Sequence, residues 1–156
     1  KGFGILPKSI IGGVLGVFIY WAFLIFGNGV TAAFRSLHSA ETFWGRLVLA
    51  FLTSLFMNLI FSPVLMLTHH LTDNHIKLNN GRSPLKGHSI LSLLVTIDWQ
   101  RMWGFVFKKT IPFFWIPAHT ITFLLPSQYR VLYAALLSVA LGILLGVAGK
   151  HSQAQK

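Results

Sequence analysis

Two kinds of residue are nearly missing from this chain. It has no cysteine, which excludes disulfides and thiol catalysis and leaves the redox compartment open. It has three acids, Glu41, Asp73 and Asp98. Hydrolases and metal enzymes need convergent acids, histidines or a nucleophile, so catalysis is the weakest reading; no enzyme activity and no cofactor are expected. Charged residues make up only 10% of the chain, whereas a soluble domain carries about a quarter. With 54% apolar residues and a mean hydropathy of +0.66, there are too few polar groups to cover a water-facing surface. The chain is expected in a bilayer.

Thirteen Lys and Arg give a formal net charge of +10. No basic run accompanies a soluble fold, so no nucleic-acid partner is expected. In a membrane protein such residues mark cytoplasmic loops and meet anionic lipid headgroups.

Four long apolar stretches organise the chain. The first, about 9–27, contains an eighteen-residue uncharged run from Ser9 to Phe26, enough for a membrane-crossing helix. Gly12 and Gly16 either admit a neighbouring backbone or reflect the general frequency of glycine in such helices. Gly27-Asn28-Gly29 can kink or end the helix. The second stretch, 47–68, is uncharged, with Asn58 as its mid-span polar exception and a bend expected at Ser62-Pro63. Asn58 suits an interhelical hydrogen bond or a solute contact. His69, His70 and Asp73 follow, with a spacing that suits either a weak metal site or a polar helix end. The cytoplasmic loop, about 69–101, is expected to contain a short interfacial helix within Ser89 to Ile97, with Asp98 near Arg101 or a lysine pair.

The segment Trp99–Arg130 is the least ordinary. It holds three of the five tryptophans, Lys108-Lys109, Pro112, Pro117 and Pro126, and His119 in an apolar run. It predicts a proline-modified third span over about 104–125, with Thr110, Thr120 and Thr122 bonding carbonyls that the prolines free. Lys108, Lys109 and Arg101 are candidate contacts for anions or lipid. A tight turn at Pro126-Ser127-Gln128 leads to a fourth span, 129–149, and a polar tail from Lys150. Four spans put ten basic residues on the side of the termini and central loop; only Arg35, Arg46 and Arg130 fall opposite. The expectation is therefore an all-α, polytopic single domain with both termini cytoplasmic or on the matrix side. The first run is expected to be retained rather than cleaved as a signal.

Trp115, His119, Thr122-Phe123, Pro126 and Arg130 together resemble the signature of the Mpv-seventeen family of small peroxisomal and inner-mitochondrial membrane proteins, which also has short bacterial members. The family has a Trp-Pro, a Gln three residues later, an Asn-Phe, a Pro, and an Arg four beyond it. Here the proline is displaced to Pro117, His119 stands for the Gln and Thr122 for the Asn, and one residue is missing before Pro126. Pro63 and Asp73 resemble a second family segment. The resemblance covers mainly residues 56–75 and 103–147. It implies a four-helix membrane protein, channel or small-solute pore in type, with Trp115, Pro117, His119, Thr122, Phe123, Pro126 and Arg130 as signature residues.

Two functions follow as expectations. One is a pore or transporter lined by His119, Thr122 and Asn58, with Lys108 and Lys109 favouring anions. The other is a structural or assembly subunit that packs through its glycine-spaced faces as a homo-oligomer or within a larger membrane complex. Anionic lipids are expected on the basic face. A bacterial cytoplasmic membrane is the expected location, with the mitochondrial inner membrane as the alternative.

Overall fold

The computed structural model describes residues 5–34, 42–79 and 87–154, with side chains through residue 140. Among the described residues every regular element is helical. Helices α1 (Ile5–Ala33) and α2 (Phe43–Leu78) are followed by the short α3 (Ile90–Val95). Then α4 (Trp99–Arg101), a π-helix, π1 (Met102–Trp115), and α5 (Ile116–Leu124) run on end to end, and α6 covers Ser127–Ala154.

Two of these, α1 and α2, are long and apolar enough to cross a membrane. Their burial pattern inverts that of a soluble protein. Ile10, Val17 and Phe18 on α1 and Val48, Leu59 and Ile60 on α2 point outward, while Thr53, Ser54, Asn58 and Ser62 of α2 are buried. That pattern suits a bilayer, where lipid tails are as apolar as leucine and would drive no such side chain inward, and where polar groups would need partners inside. The apolar core is correspondingly small: Ala22 and Phe23 of α1, Ala50 and Met57 of α2, Phe123 of α5 and Ala134 of α6. α2 is the central element, with α1 and α5 packed against it.

Boundaries differ from the expected spans for identifiable reasons. α1 runs through Gly27-Asn28-Gly29 without ending there, because Gly27 and Val30 are buried and pack this end of the helix against its neighbours. α2 continues through Pro63 and ten residues past Thr68. Its last turn carries His75 and Lys77, favourable beside a helix C-terminus, and Asp73 accepts Lys77 one turn away at 3.0 Å. At its start the Thr42 hydroxyl caps the N–H of Gly45 at 3.0 Å, satisfying one of the orphan donors of the first turn. The expected loop therefore begins about ten residues late.

The third element is proline-modified, as expected, but its form is π rather than a kinked α-helix. A π-helix bonds each N–H to the carbonyl five residues back. The N–H of Ile116 reaches the carbonyl of Ile111, and the Thr110 hydroxyl reaches that of Phe105 at 3.2 Å. Pro112 lies inside π1, and Pro117 falls in the first turn of α5. The three threonines do bond carbonyls, but those of Phe105, Ile116 and Ala118. These are neither four nor five residues before a proline, so the expected repair is not what they do. Leu125 is extended (ψ 154°), as the residue before a proline prefers. The turn is thus Leu125-Pro126 alone, and Ser127 and Gln128 already belong to α6. That helix also continues into the residues expected as a tail.

Short α3 lies where the interfacial helix is expected. Ile90, Leu91 and Val95 face outward and Leu93 inward, and the Ser89 hydroxyl caps the N–H of Ser92. Asn74 of α2 donates to the Thr96 hydroxyl at 3.0 Å, which ties α3 to α2. Asp98 caps α4 by accepting the backbone N–H of Arg101 at 2.9 Å rather than pairing with the guanidinium. Of the residues behind the charge count, Lys1, Arg35, Arg82, Lys86 and Lys156 lie outside the described residues, as does Glu41.

Two contacts fix the relative directions. Near the start of α1, Lys8 meets Asp73 near the end of α2 at 2.7 Å. At the other end of α1, Gly27 faces Phe123 at the end of α5 and Arg130 at the start of α6. Successive long elements therefore alternate in direction. From residue 8 to residue 27 the rise along α1 is roughly 28 Å.

Candidate functional site

A buried polar seam joins α2 to α5. Ser54, Asn58 and Ser62 recur every four residues, so they stack along one face of α2. The Ser54 hydroxyl crosses to the carbonyl of Ile116 at 2.7 Å. The Asn58 amide nitrogen donates to the Ser54 carbonyl at 2.8 Å and lies 3.0 Å from His119 Nδ1. Its oxygen accepts the Ser62 hydroxyl at 3.0 Å. The amide oxygen also lies 3.2 Å from His119 Nδ1, so Nδ1 accepts from the amide nitrogen in one ring tautomer and donates to the amide oxygen in the other. Nε2 of His119 has no hydrogen-bond partner among the described residues.

Aromatic rings hold the histidine in place. Trp115 lies along one side, centroids 5.2 Å apart and tilted 31°. Phe23 of α1 presents its edge at 5.4 Å, so the seam engages three helices. Phe23 in turn contacts Phe123 at 5.2 Å, and the Arg130 guanidinium sits 5.4 Å from the Phe123 ring centre. Chemically, the seam is a hydrogen-bonded clasp. The hydroxyls of Ser54 and Ser62 donate to Ile116 and Asn58, not to His119. Trp115 Nε1 is buried with no hydrogen-bond partner among the described residues.

Beyond the seam, at the end where α1 and α5 finish and α2 and α6 begin, lies a half-open cavity of about 370 Å³. Gly27, Thr31, Arg46, Thr53, Phe123 and Arg130 contribute to its wall, and among the described residues no carboxylate does. Arg130 is anchored: Nε donates to the carbonyl of Leu125 at 3.0 Å and Nη2 to that of Phe123 at 3.2 Å. A cation on the last carbonyls of α5 is favourable for the helix dipole.

Among the residues singled out in the sequence, Asn58, Trp115, His119, Phe123 and Arg130 therefore form one connected chain of contacts. Thr122 is fully buried and returns its hydroxyl to Ala118 at 2.9 Å. Pro117 and Pro126 are exposed, as are Lys108, Lys109 and Arg101. Arg101 and Lys109 border a shallow depression of about 390 Å³ that also contains Asp98. The three polar residues expected to line a path, Asn58, His119 and Thr122, do not line the 370 Å³ cavity.

The weak metal candidate does not assemble. Asp73 gives its two oxygens to Lys8 and Lys77, His69 and His70 stand side by side at 6.4 Å, and His75 contacts Asn79. Among the described residues no group of three potential ligands converges. Sequence reasoning missed Ser54, Ser62, Phe23, Gly27 and Arg46. The four-residue spacing of Ser54, Asn58 and Ser62 was a readable signal; the others carried none.

No model of a known protein family matches the chain, and no curated protein or solved structure is significantly similar to it. The resemblance to the Mpv-seventeen family rests on its motif residues alone.

Proposed function

We propose that this is a four-span membrane protein that passes small solutes, as the resemblance to the Mpv-seventeen family implies, and that the polar seam is its constriction. α1, α2, π1–α5 and α6 are the four spans, with both termini on the basic, cytoplasmic or matrix face, and α3 lies in the interface. The observation that carries the reading is the continuity of polar groups along α2. Arg46 and Thr53 line the half-open cavity, Ser54, Asn58 and Ser62 follow in the packed interior, and Asp73 with Lys8 and Lys77 closes the series at the opposite end. Polar residues inside a bundle usually face a partner or an aqueous path. Here they face partners, which describes a closed state. The membrane is assigned by the charge asymmetry to a bacterial cytoplasmic membrane or a mitochondrial inner membrane.

The test is solute leakage and conductance from liposomes containing the purified protein. His119→Ala removes the clasp from α5 and should raise flux above wild type. Silence from both proteins, folded and inserted, sinks the solute-path reading.

A specific observation favours a second reading, a structural or assembly subunit. Side chains built at Gly12, Gly13 and Gly16 would meet none of the described residues within 4 Å, which leaves a closely approachable face on α1. A stable complex after mild-detergent extraction, disrupted by Gly16→Leu, would support it.

A further inference from the structure

We infer that the 370 Å³ cavity between the ends of α1 and α5 and the starts of α2 and α6 is a binding site for an oxyanion, a phosphate or carboxylate group, held by Arg46 and Arg130. This goes beyond the solute-path reading: binding does not require conduction.

Four features of the cavity converge on that chemistry. Its volume falls within the roughly 300–1,000 Å³ range of small-ligand sites. Two guanidinium-bearing residues border it and, among the described residues, no acid does and neither arginine forms an ion pair. Two cations on one cavity at the edge of a low-dielectric bundle favour an anion between them. Guanidinium groups are the donors best matched to carboxylate and phosphate oxygens.

Arg130 is also pre-oriented for the task. Nε and Nη2 are occupied by the carbonyls of Leu125 and Phe123, and the group rests on the Phe123 ring. Three of its five N–H donors remain, two on Nη1 and one on Nη2, and Nη1 lies against Gly27, where an added Cβ would stand 3.3 Å away. Without a Cβ there, Nη1 is left uncrowded. Arg46, near the start of α2, is exposed, and among the described residues its side chain makes no ion pair. Arg130 is anchored by the carbonyls it caps, and Arg46 is not.

The cavity is half open, so the same chemistry can reach it as a lipid headgroup or as a free anion. The experiment separates the two. Thermal unfolding of the full chain is followed in neutral detergent while inorganic phosphate or citrate is titrated at constant ionic strength. In parallel, stability is compared in nanodiscs of phosphatidylcholine alone and of phosphatidylcholine with phosphatidylglycerol. Saturable stabilisation by phosphate or citrate assigns the site to free anions. Stabilisation by phosphatidylglycerol alone assigns it to lipid.

In either case Arg46→Gln should weaken the response about tenfold, the equivalent of one charge-assisted hydrogen bond. Lys8→Gln, a cation at the opposite end of α1 that is already paired with Asp73, should leave the response as it is. Arg130→Gln is the weaker test, because it also strips the cap from α5; Arg46→Gln carries no such role. A response that survives Arg46→Gln, one that is lost with Lys8→Gln instead, or none at all from folded protein overturns the assignment. Loss of flux without loss of Arg46-dependent binding would count against the solute path and leave this site standing.

Discussion

Asn58 makes or accepts every side-chain bond that ties Ser62 and His119 into the seam, so Asn58→Leu tests the clasp directly. Leucine matches asparagine approximately in volume and brings no polar atom. The substitution removes the amide whose nitrogen and oxygen lie 3.0 and 3.2 Å from His119 Nδ1, and with it the acceptor at 3.0 Å from the Ser62 hydroxyl. These two losses are unequal. Ser62 can turn its hydroxyl to the carbonyl four residues back, as Thr53 and Thr68 do. His119 has no such local alternative, being buried between Trp115 and Phe23. One buried group left without a partner costs about 1–3 kcal/mol. Interhelical hydrogen bonds in membranes average about 0.6 kcal/mol and reach about 1.7. The expected destabilisation by Asn58→Leu is therefore about 1–3 kcal/mol. A double-mutant cycle with His119→Ala should yield a coupling of about 0.6–1.7 kcal/mol. Ser62→Ala should cost under about 0.5 kcal/mol and show no coupling to residue 119. Reversible unfolding in mixed micelles at increasing SDS fraction measures all of these. A 58–119 coupling indistinguishable from zero, with both single variants folded, would falsify the clasp.

Gly27→Val should destabilise by about 1–3 kcal/mol through overpacking against Arg130 and Phe123, whereas Gly12→Ala, with none of the described residues within 4 Å of the new Cβ, should be neutral or stabilising by up to about 1 kcal/mol; equal effects in thermal unfolding would contradict the packing of this end. Asp73 lies beyond the spanning part of α2, since a 36-residue helix is roughly 54 Å long against a core of about 30 Å. Burial pushes its carboxyl up, but hydrogen bonds and charge from Lys8 and Lys77 outweigh this and hold it below the ordinary 3.8. A depressed folded value means that the contribution is complete above that ordinary value and is lost as pH falls through the folded one. The stability gap between wild type and Asp73→Asn, about 0.2–1 kcal/mol for such half-exposed pairs, should close in acid; a gap independent of pH refutes the ion triad. Trp115→Phe keeps a ring beside His119 and removes a buried N–H with no partner among the described residues, so it should be neutral or stabilising by about 1 kcal/mol. A clear loss of stability would mean that the indole N–H has a partner.

Composition and pattern determined the class of this protein. Long uncharged runs with scarce acids have only helix as a way to satisfy their backbone in lipid, and all described elements are helical. Asn58 announced itself as a polar group in an apolar run, and Pro126 as a chain reversal. The tertiary structure alone decided the partners. That Asn58 meets His119, 61 residues away, depends on how α2 and α5 cross and on the register of their faces, which no local pattern encodes. The same holds for Lys8 with Asp73, in a stretch where a loop was expected and α2 continues, and for Gly27 with Arg130. Paired prolines announced a modified helix, but the π form was visible only in the structure. Local sequence sets which conformations and burial a segment prefers; the arrangement of helices sets which atoms come within three ångströms of one another.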